Sequence, residues 1–401
     1  MLGTYGRSEE ALADIERQSV SVREHPSVLH VRGTIVNQFG RVEEAQELFR
    51  QALAKMPNAM QTWFALAMIK KFTPGDADLH AMERLERLQG VPPEVRASLF
   101  YGLGKAREDL GDVDRAFDYY SRGAELIRLT RPFDMNAHQA EAEAVVRDFT
   151  PDNLDKLAPS GFEGQRSLFV TGLARSGTTL TEQMLVGHSA VADGAELNVF
   201  GIALMPLLRY TYEGAIRYQG SNPGDPWGEI ARDYAHLVDL RLGSSNLIVD
   251  KSLGQTLLTG LILHSMPDAR IAWLKRDPQD VALSCFRTYF TAGLAWTCSL
   301  ADIADYMRIE DKMFAHWKNI FADRILVVPY EELVASPGQW SDRLQHHFGL
   351  PVEDLQASLP MDRAVRTASV TQVKQPISTS RIGQSAAFER QLKPFRDRYY
   401  G

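Results

Sequence analysis

Cysteine is nearly absent from this chain of 401 residues, which holds only Cys285 and Cys298. A disulfide framework is thereby excluded, and the usage fits a reducing, cytoplasmic setting. Nor is there an apolar run of the roughly 18 residues that a membrane span requires. The amino-terminal stretch MLGTYGRSEEALADIERQ is polar and helical in pattern. Positive charge is not in excess either. Forty-four Lys and Arg stand against 51 Asp and Glu, a net charge of −7, which excludes a general nucleic-acid or membrane-surface binder but leaves room for a pocket that gathers a few cations. No set of His, Cys and Asp has metal-site spacing. What the chain does have is length and apolar content. With 44% hydrophobic residues it can bury a sizeable core, and at roughly 100 to 200 residues per domain the length implies two or three domains.

The first third repeats itself. Gly33, Val36, Gly40, Ala45, Phe49, Ala52 and Pro57 alternate small, large and turn residues, and 71 positions on from the first six, Gly104, Arg107, Gly111, Ala116, Tyr120 and Gly123 keep nearly the same size classes. A shift of 34 the other way finds Gly6, Ala11 and Ile15, while the middle copy keeps Trp63, Leu66, Ala67 and a Pro74-Gly75 turn. This is the period of a helix-turn-helix array, and the pattern resembles tetratricopeptide repeats. Small residues there let helices approach closely. Residues 1–132 are assigned to this array. Its first copy lacks a leading helix, so we expect either an atypical cap or missing upstream repeats. The concave face could hold a peptide or protein acceptor, or the array could serve as a support or a surface for a homo-oligomer. Residues 133–165 read as a linking helix and connector.

Residues 166–401 have a different rhythm. SLFVTG, NLIVD, ARIAWLK and RILVVPY are short β-rich runs separated by helical stretches, the alternation of an α/β domain with a parallel sheet. Its first unit, SLFVTGLARSGTTLTEQML, is strand, glycine-bounded loop and helix. Loop amides and the free N–H groups at the helix start would converge on an anion, with Ser176, Thr178 and Thr179 adding hydroxyls. Gly172 and Gly177 have the spacing of the nucleoside-triphosphate loop, but Thr178 stands where that loop carries its lysine. The cation is Arg175 instead. Asp250, closing NLIVD, is a half-match to a magnesium-binding strand end, which keeps a phosphate-loop kinase as the alternative.

Four blocks in order, LARSGTTLTEQMLVGHSAV, GAEL, DKSLGQ and RDPQDVALSCFRTYF, resemble the sulfotransferase family, in particular bacterial members joined to tetratricopeptide repeats, with similarity to tyrosylprotein sulfotransferases. The resemblance implies transfer of a sulfuryl group from 3′-phosphoadenosine 5′-phosphosulfate to an acceptor hydroxyl or amine on a peptide, saccharide or small molecule, without a metal. It implies that Arg175, Ser176, Gly177, Thr178 and Thr179 hold the 5′-phosphosulfate and that Arg276 and Ser284 grip the 3′-phosphate. Glu196 then matches the base, and Lys251 the donor to the bridging oxygen of the departing phosphate. RTASVTQVKQPISTSRIG resembles the segment that closes over the nucleotide, with Ser369 as a nucleotide contact and Lys374 one place from the family's lysine, where Gln375 stands.

Other readings compete at individual residues. Arg276 could pair with Asp277 or Asp280, Glu196 could cap a helix, and Lys251 could be solvated at a strand end. His188 and the His316-Trp317 pair read as packing residues. The aromatic stretch Arg209 to Asp233 suits either an acceptor pocket or a packed helical insertion. Asn198 stands where the tyrosylprotein branch has an arginine that reads acidic peptides. A third possibility is a scaffold whose α/β domain has lost activity.

Overall fold

The computed structural model describes residues 8–194, 196–244, 247–291, 293–355 and 377–401. Its amino-terminal part is helical: α1 (Ser8–Glu16), α2 (Val20–Arg23), α3 (Pro26–Gln38), α4 (Val42–Lys55), α5 (Met60–Ile69), α6 (Ala77–Leu85), α7 (Pro93–Asp109) and α8 (Val113–Thr130). Helices α3/α4 and α7/α8 pack as hairpins. The 71-residue offset reappears in their packing. A Cβ on Gly33 would come 2.6 Å from the Phe49 ring, and one on Gly104 would come 2.5 Å from the Tyr120 ring, so each hairpin closes by setting an aromatic face on a bare backbone. Helices α9 (Met135–Asp148), capped by the Asp134 carboxylate on the Ala137 amide, and α10 (Pro151–Leu154) follow.

The remainder is built on five parallel strands, β1 (Ser167–Gly172), β2 (Val191–Asp193), β3 (Leu247–Asp250), β4 (Ile271–Lys275) and β5 (Ile325–Pro329), in the order β2-β3-β1-β4-β5. The register sets Phe169 opposite both Asp250 and Ile271. Helices α11 (Thr178–Val186), α12 (Phe200–Ala203), α13 (Tyr212–Ser221), α14 (Pro226–Leu242), α15 (Thr259–Ser265), α16 (Pro278–Phe286), α17 (Leu300–Ile320), α18 (Tyr330–Ala335) and α19 (Pro337–Phe348) connect them, and Lys393–Tyr399 forms the last helix. Period-two alternation divides the sheet faces. Phe169, Ile248, Ile271 and Trp273 face a core with Trp227, Tyr234 and Trp317, whereas Leu168, Val170, Val249 and Leu274 face Met184, Trp340 and Phe348. Both faces are covered, as a parallel sheet requires.

The aromatic stretch from Arg209 to Asp233 is resolved by this packing. It forms α13 and most of the α14 amino-terminal half, with Trp227 fully buried and Tyr218 nearly so, a helical insertion rather than an open pocket. No helix among the described residues is long and apolar enough to cross a membrane. The helical part and the α/β part share one apolar cluster, in which Tyr101, Ala116, Tyr120 and Ile127 meet Val281, Cys285, Phe286, Trp296 and Phe395. That shared cluster fixes α7 and α8 against α16.

Candidate active site

Chain order reverses around β1, so the crevice beyond the carboxyl ends of the strands opens between β3 and β4. Every strand delivers a site residue there: Arg175 follows β1, Glu196 follows β2, Lys251 follows β3, Arg276 follows β4 and Tyr330 follows β5.

The loop after β1 is held in an unusual backbone. Gly177 has φ 109°, and a Cβ there would lie 2.5 Å from the Tyr330 ring, so only glycine fits. Arg175 adopts φ 70°, a left-handed conformation that costs about 1 kcal/mol or more for a non-glycine residue and is kept where function requires it. The Ser176 hydroxyl donates to the Leu173 carbonyl at 2.7 Å and so closes the loop on itself, whereas the sequence pattern had it aimed at the anion. Thr178 and Thr179 are buried at the first turn of α11, whose leading amides and positive dipole end face the crevice.

Arg175 Nε donates to Ser284 Oγ at 3.0 Å, joining the loop to α16 across 109 residues of sequence. Arg276 donates to the Arg175 carbonyl at 3.1 Å and to the Arg381 carbonyl at 2.6 Å. Its guanidinium lies 4.4 Å from the Tyr330 ring centre. Asp280 is 3.7 Å from Arg276 but is fully buried, and its oxygens accept the Gly383 and Ser385 amides at 2.7 and 2.8 Å. The Arg276–Asp280 pair therefore pins the carboxy-terminal segment, where a surface ion pair was the competing expectation. Burial draws the Arg175 guanidinium down to about 10, and Arg287, Arg276 and Arg381 push the same way while the Cys285 thiol opposes. Arg381 is likewise lowered by burial, then by Arg287. Guanidiniums gathered this closely favour an anion among them.

On the other side of β1, Lys251 is 1% exposed, and its Nζ lies 2.6 Å from Glu196 Oε1 and 3.9 Å from Glu182 Oε2. It is not the solvated strand-end lysine that its position alone would suggest. The Glu196 side chain is 40% exposed, so the pair opens toward solvent on the carboxylate side. Its loop is positioned from below: Asp250 accepts the Ser252 hydroxyl at 2.5 Å and Tyr234 OH at 2.8 Å, and Ser252 Oγ in turn accepts the Asn198 amide at 2.8 Å. Asp250 is fully buried, which raises its pKa, and it is spent on this scaffold rather than turned to a cation.

His188 accepts the Ala190 amide at Nδ1 and bonds the Pro351 carbonyl through Nε2. His316 bonds the Phe149 carbonyl; both are packing residues. Ser369 and Lys374 lie outside the described residues. Thus Arg175, Arg276 and Ser284 form one cluster and Glu196 with Lys251 another, on the two sides of β1. Sequence reasoning missed Arg287, Arg381 and Glu182. Arg381 stands in the quoted segment SRIG, beside a glycine, but nothing in its spacing tied it to Arg276.

Arg276 Nε is buried without a hydrogen-bond partner among the described residues, and such a donor is costly unless a ligand accepts from it.

Residues 167–354 match the model of the sulfotransferase family. The chain is 28% identical over 386 residues to an uncharacterized protein of Aquifex aeolicus (strain VF5), covering 92% of this chain and 50% of that one. It therefore spans about half the length of the curated relative it matches. Among solved structures it aligns with the sulfotransferase domain of the Synechococcus PCC 7002 olefin synthase, at 21% identity, covering 60% of this chain and 98% of that one, with a TM-score of 0.41. It also aligns with a sulfotransferase of Mycobacterium tuberculosis H37Rv, at 16% identity, covering 82% and 99%, with a TM-score of 0.36.

Proposed function

We propose that this protein transfers a sulfuryl group from 3′-phosphoadenosine 5′-phosphosulfate to an acceptor hydroxyl or amine on a peptide, saccharide or small molecule. One observation carries the reading: the glycine loop at the end of β1 carries Arg175 as its cation and no lysine, with Arg276 and Ser284 gathered beside it as a second anion clamp. Two clamps suit a donor phosphorylated at both ends. In this reading the α11 amides, Thr178, Thr179 and Arg175 hold the 5′ end, and Arg276 with Ser284 holds the 3′-phosphate through charge-assisted bonds.

The acceptor oxygen or nitrogen attacks sulfur in line as the bond from sulfur to the bridging oxygen breaks. Glu196 takes the acceptor's proton. The electron pair of the broken bond stays on the 5′-phosphate, where Lys251 and Arg175 meet the growing charge. For this to happen the Lys251–Glu196 contact must open, leaving Lys251 beside the buried Glu182. A preorganised donor of this kind is worth about 10² to 10³ in rate, and a positioned base about 10² to 10⁴. By the family resemblance, Ser369 and Lys374 would contact the nucleotide. The helical part, read as a tetratricopeptide-type array, would present a peptide or protein acceptor, and the cytoplasm would be the working compartment.

The kinase alternative is less well served, because Thr178 replaces the lysine and Asp250 is committed to Ser252 and Tyr234. Calorimetric titration with adenosine 3′,5′-bisphosphate and, separately, with ATP plus magnesium tests the choice. Binding of the first and not the second is expected; the reverse result would end the sulfotransferase reading.

A further inference from the structure

The mechanism above leaves Arg287 unused, yet it lies on the same face of one helix as the 3′ clamp. Asp280, Ser284 and Arg287 are spaced four and three apart at α16 and its carboxyl cap, which stacks their side chains in one stripe. That stripe has one neighbour on each side. Ser284 accepts from Arg175 of the loop, while Asp280 and Arg287 hold the carboxy-terminal segment, Asp280 through the Gly383 and Ser385 amides and Arg287 through Gln384 Oε1 at 2.5 Å. Arg276 reaches the same segment at Arg381. The guanidiniums of Arg276, Arg287 and Arg381 thus lie within electrostatic range of Arg175, which donates to the Ser284 hydroxyl.

The second nitrogen of Arg287 is held from outside the α/β domain. Arg287 Nη1 lies 2.5 Å from Glu108 Oε1, near the end of α7, and the other oxygen of Glu108 accepts Tyr120 OH of α8 at 2.8 Å. Tyr120 is the ring seated on Gly104, so Glu108 is fixed by a helical hairpin. Nearby, Asp114 at the start of α8 accepts from Arg390 and Gln391, so the same hairpin grips the carboxy-terminal segment twice. Among the described residues, Asp280 pairs with Arg276 and Glu108 with Arg287, so a phosphate monoester, with its charge of about −2, would meet guanidiniums that carboxylates already hold in part.

We infer that the helical part completes the donor site: Arg287 binds the 3′-phosphate alongside Arg276 and Ser284, and Glu108 is the counter-ion that limits how tightly that phosphate is held. The inference rests on the donor reading above and deepens it. A moderating carboxylate has a purpose there, because the bisphosphate is also the product and must leave.

The test is calorimetric binding of adenosine 3′,5′-bisphosphate and of adenosine 5′-monophosphate, which lacks the 3′ group, to full-length variants. Arg287→Ala should weaken the bisphosphate about 10- to 100-fold, as loss of a charge-assisted contact does, and leave the monophosphate within about twofold. Arg287→Lys, which keeps the charge, should lose less. Glu108→Gln keeps the contact geometry and removes the charge, and should tighten the bisphosphate by about 3- to 10-fold at low salt. An Arg287→Ala protein that binds the bisphosphate as the parent does, or that loses both nucleotides equally, overturns the inference. So does a Glu108→Gln protein that binds more weakly; should it fail to fold, the arginine variants still decide. If the parent itself shows no preference for the bisphosphate, the donor reading falls, and this inference with it.

Discussion

Replacing Lys251 with methionine separates the two carboxylates that share it. The Nζ group is 2.6 Å from Glu196 and 3.9 Å from Glu182, but these partners differ in exposure, 40% against 3%. The exposed partner can re-solvate when the cation is lost, so it adds little to stability. Glu182 cannot. At 3.9 Å and an effective dielectric near 20, Coulomb's law gives roughly 4 kcal/mol for the buried pair, in line with the roughly 3 to 5 kcal/mol lost when one partner of a buried ion pair is removed. Lys251→Met should therefore lower the unfolding free energy in urea by about 3 kcal/mol. Adding Glu182→Gln should restore part of that loss, since it removes a buried charge that had Lys251 as a partner. Turnover should fall by about 10² to 10³ in the single variant and stay low in the double, because the leaving phosphate still lacks its donor. The assay pairs urea unfolding with release of adenosine 3′,5′-bisphosphate from the activated donor. A Lys251→Met protein with an unchanged midpoint, or a double variant no more stable than the single, would refute the assignment of the buried charge to this pair.

Four other outcomes are expected. Glu196→Gln should bind adenosine 3′,5′-bisphosphate within about twofold of the parent while kcat drops by about 10² to 10⁴; full activity would sink its role as base. Arg276→Ala should weaken the bisphosphate about 10- to 100-fold in calorimetry, and a change of less than threefold would remove it from the 3′ clamp. Glu310 is fully buried against Thr256 Oγ1 at 2.7 Å, near His138, Tyr306, Lys275 and Asp311, and burial raises it from 4.5 to about 7. A carboxyl raised on folding binds more protons in the folded state, so stability falls as pH climbs from about 4.5 through 7 and is level beyond, by about 3 kcal/mol in all. Glu310→Gln should abolish that decline in urea unfolding measured from pH 5 to 8, and an unaltered slope would refute it. Gly104→Ala drives a methyl into the Tyr120 ring and should cost about 1 to 3 kcal/mol of stability; a neutral result would show that the α7/α8 hairpin can relax.

The parts of this protein that were legible in sequence are those whose cause is local. A glycine pair around SGTT, apolar runs of period two and a 71-residue echo of small and aromatic residues each follow from backbone sterics and from burial over a few neighbouring turns. They pointed to the glycine loop, the parallel strands and the paired hairpins, and the family resemblance added Glu196, Lys251, Arg276 and Ser284. Local pattern left the choice open where a stretch had two local uses. The aromatic stretch from Arg209 to Asp233 suited a pocket or a packed insertion, and packing made it helices α13 and α14, while the Ser176 hydroxyl bonds the Leu173 carbonyl of its own loop.

What the chain alone determined is therefore which segments become strand, loop or helix, and the order in which they come. Tertiary structure alone decided who pairs with whom: that Arg276 reaches Arg381 across 105 residues and Arg287 reaches Glu108 across 179, and that Lys251 stands between one buried and one half-open carboxylate. Such pairings depend on how sheet and helices dock. Docking is fixed by the summed burial of many apolar side chains, and no short stretch of sequence encodes that sum.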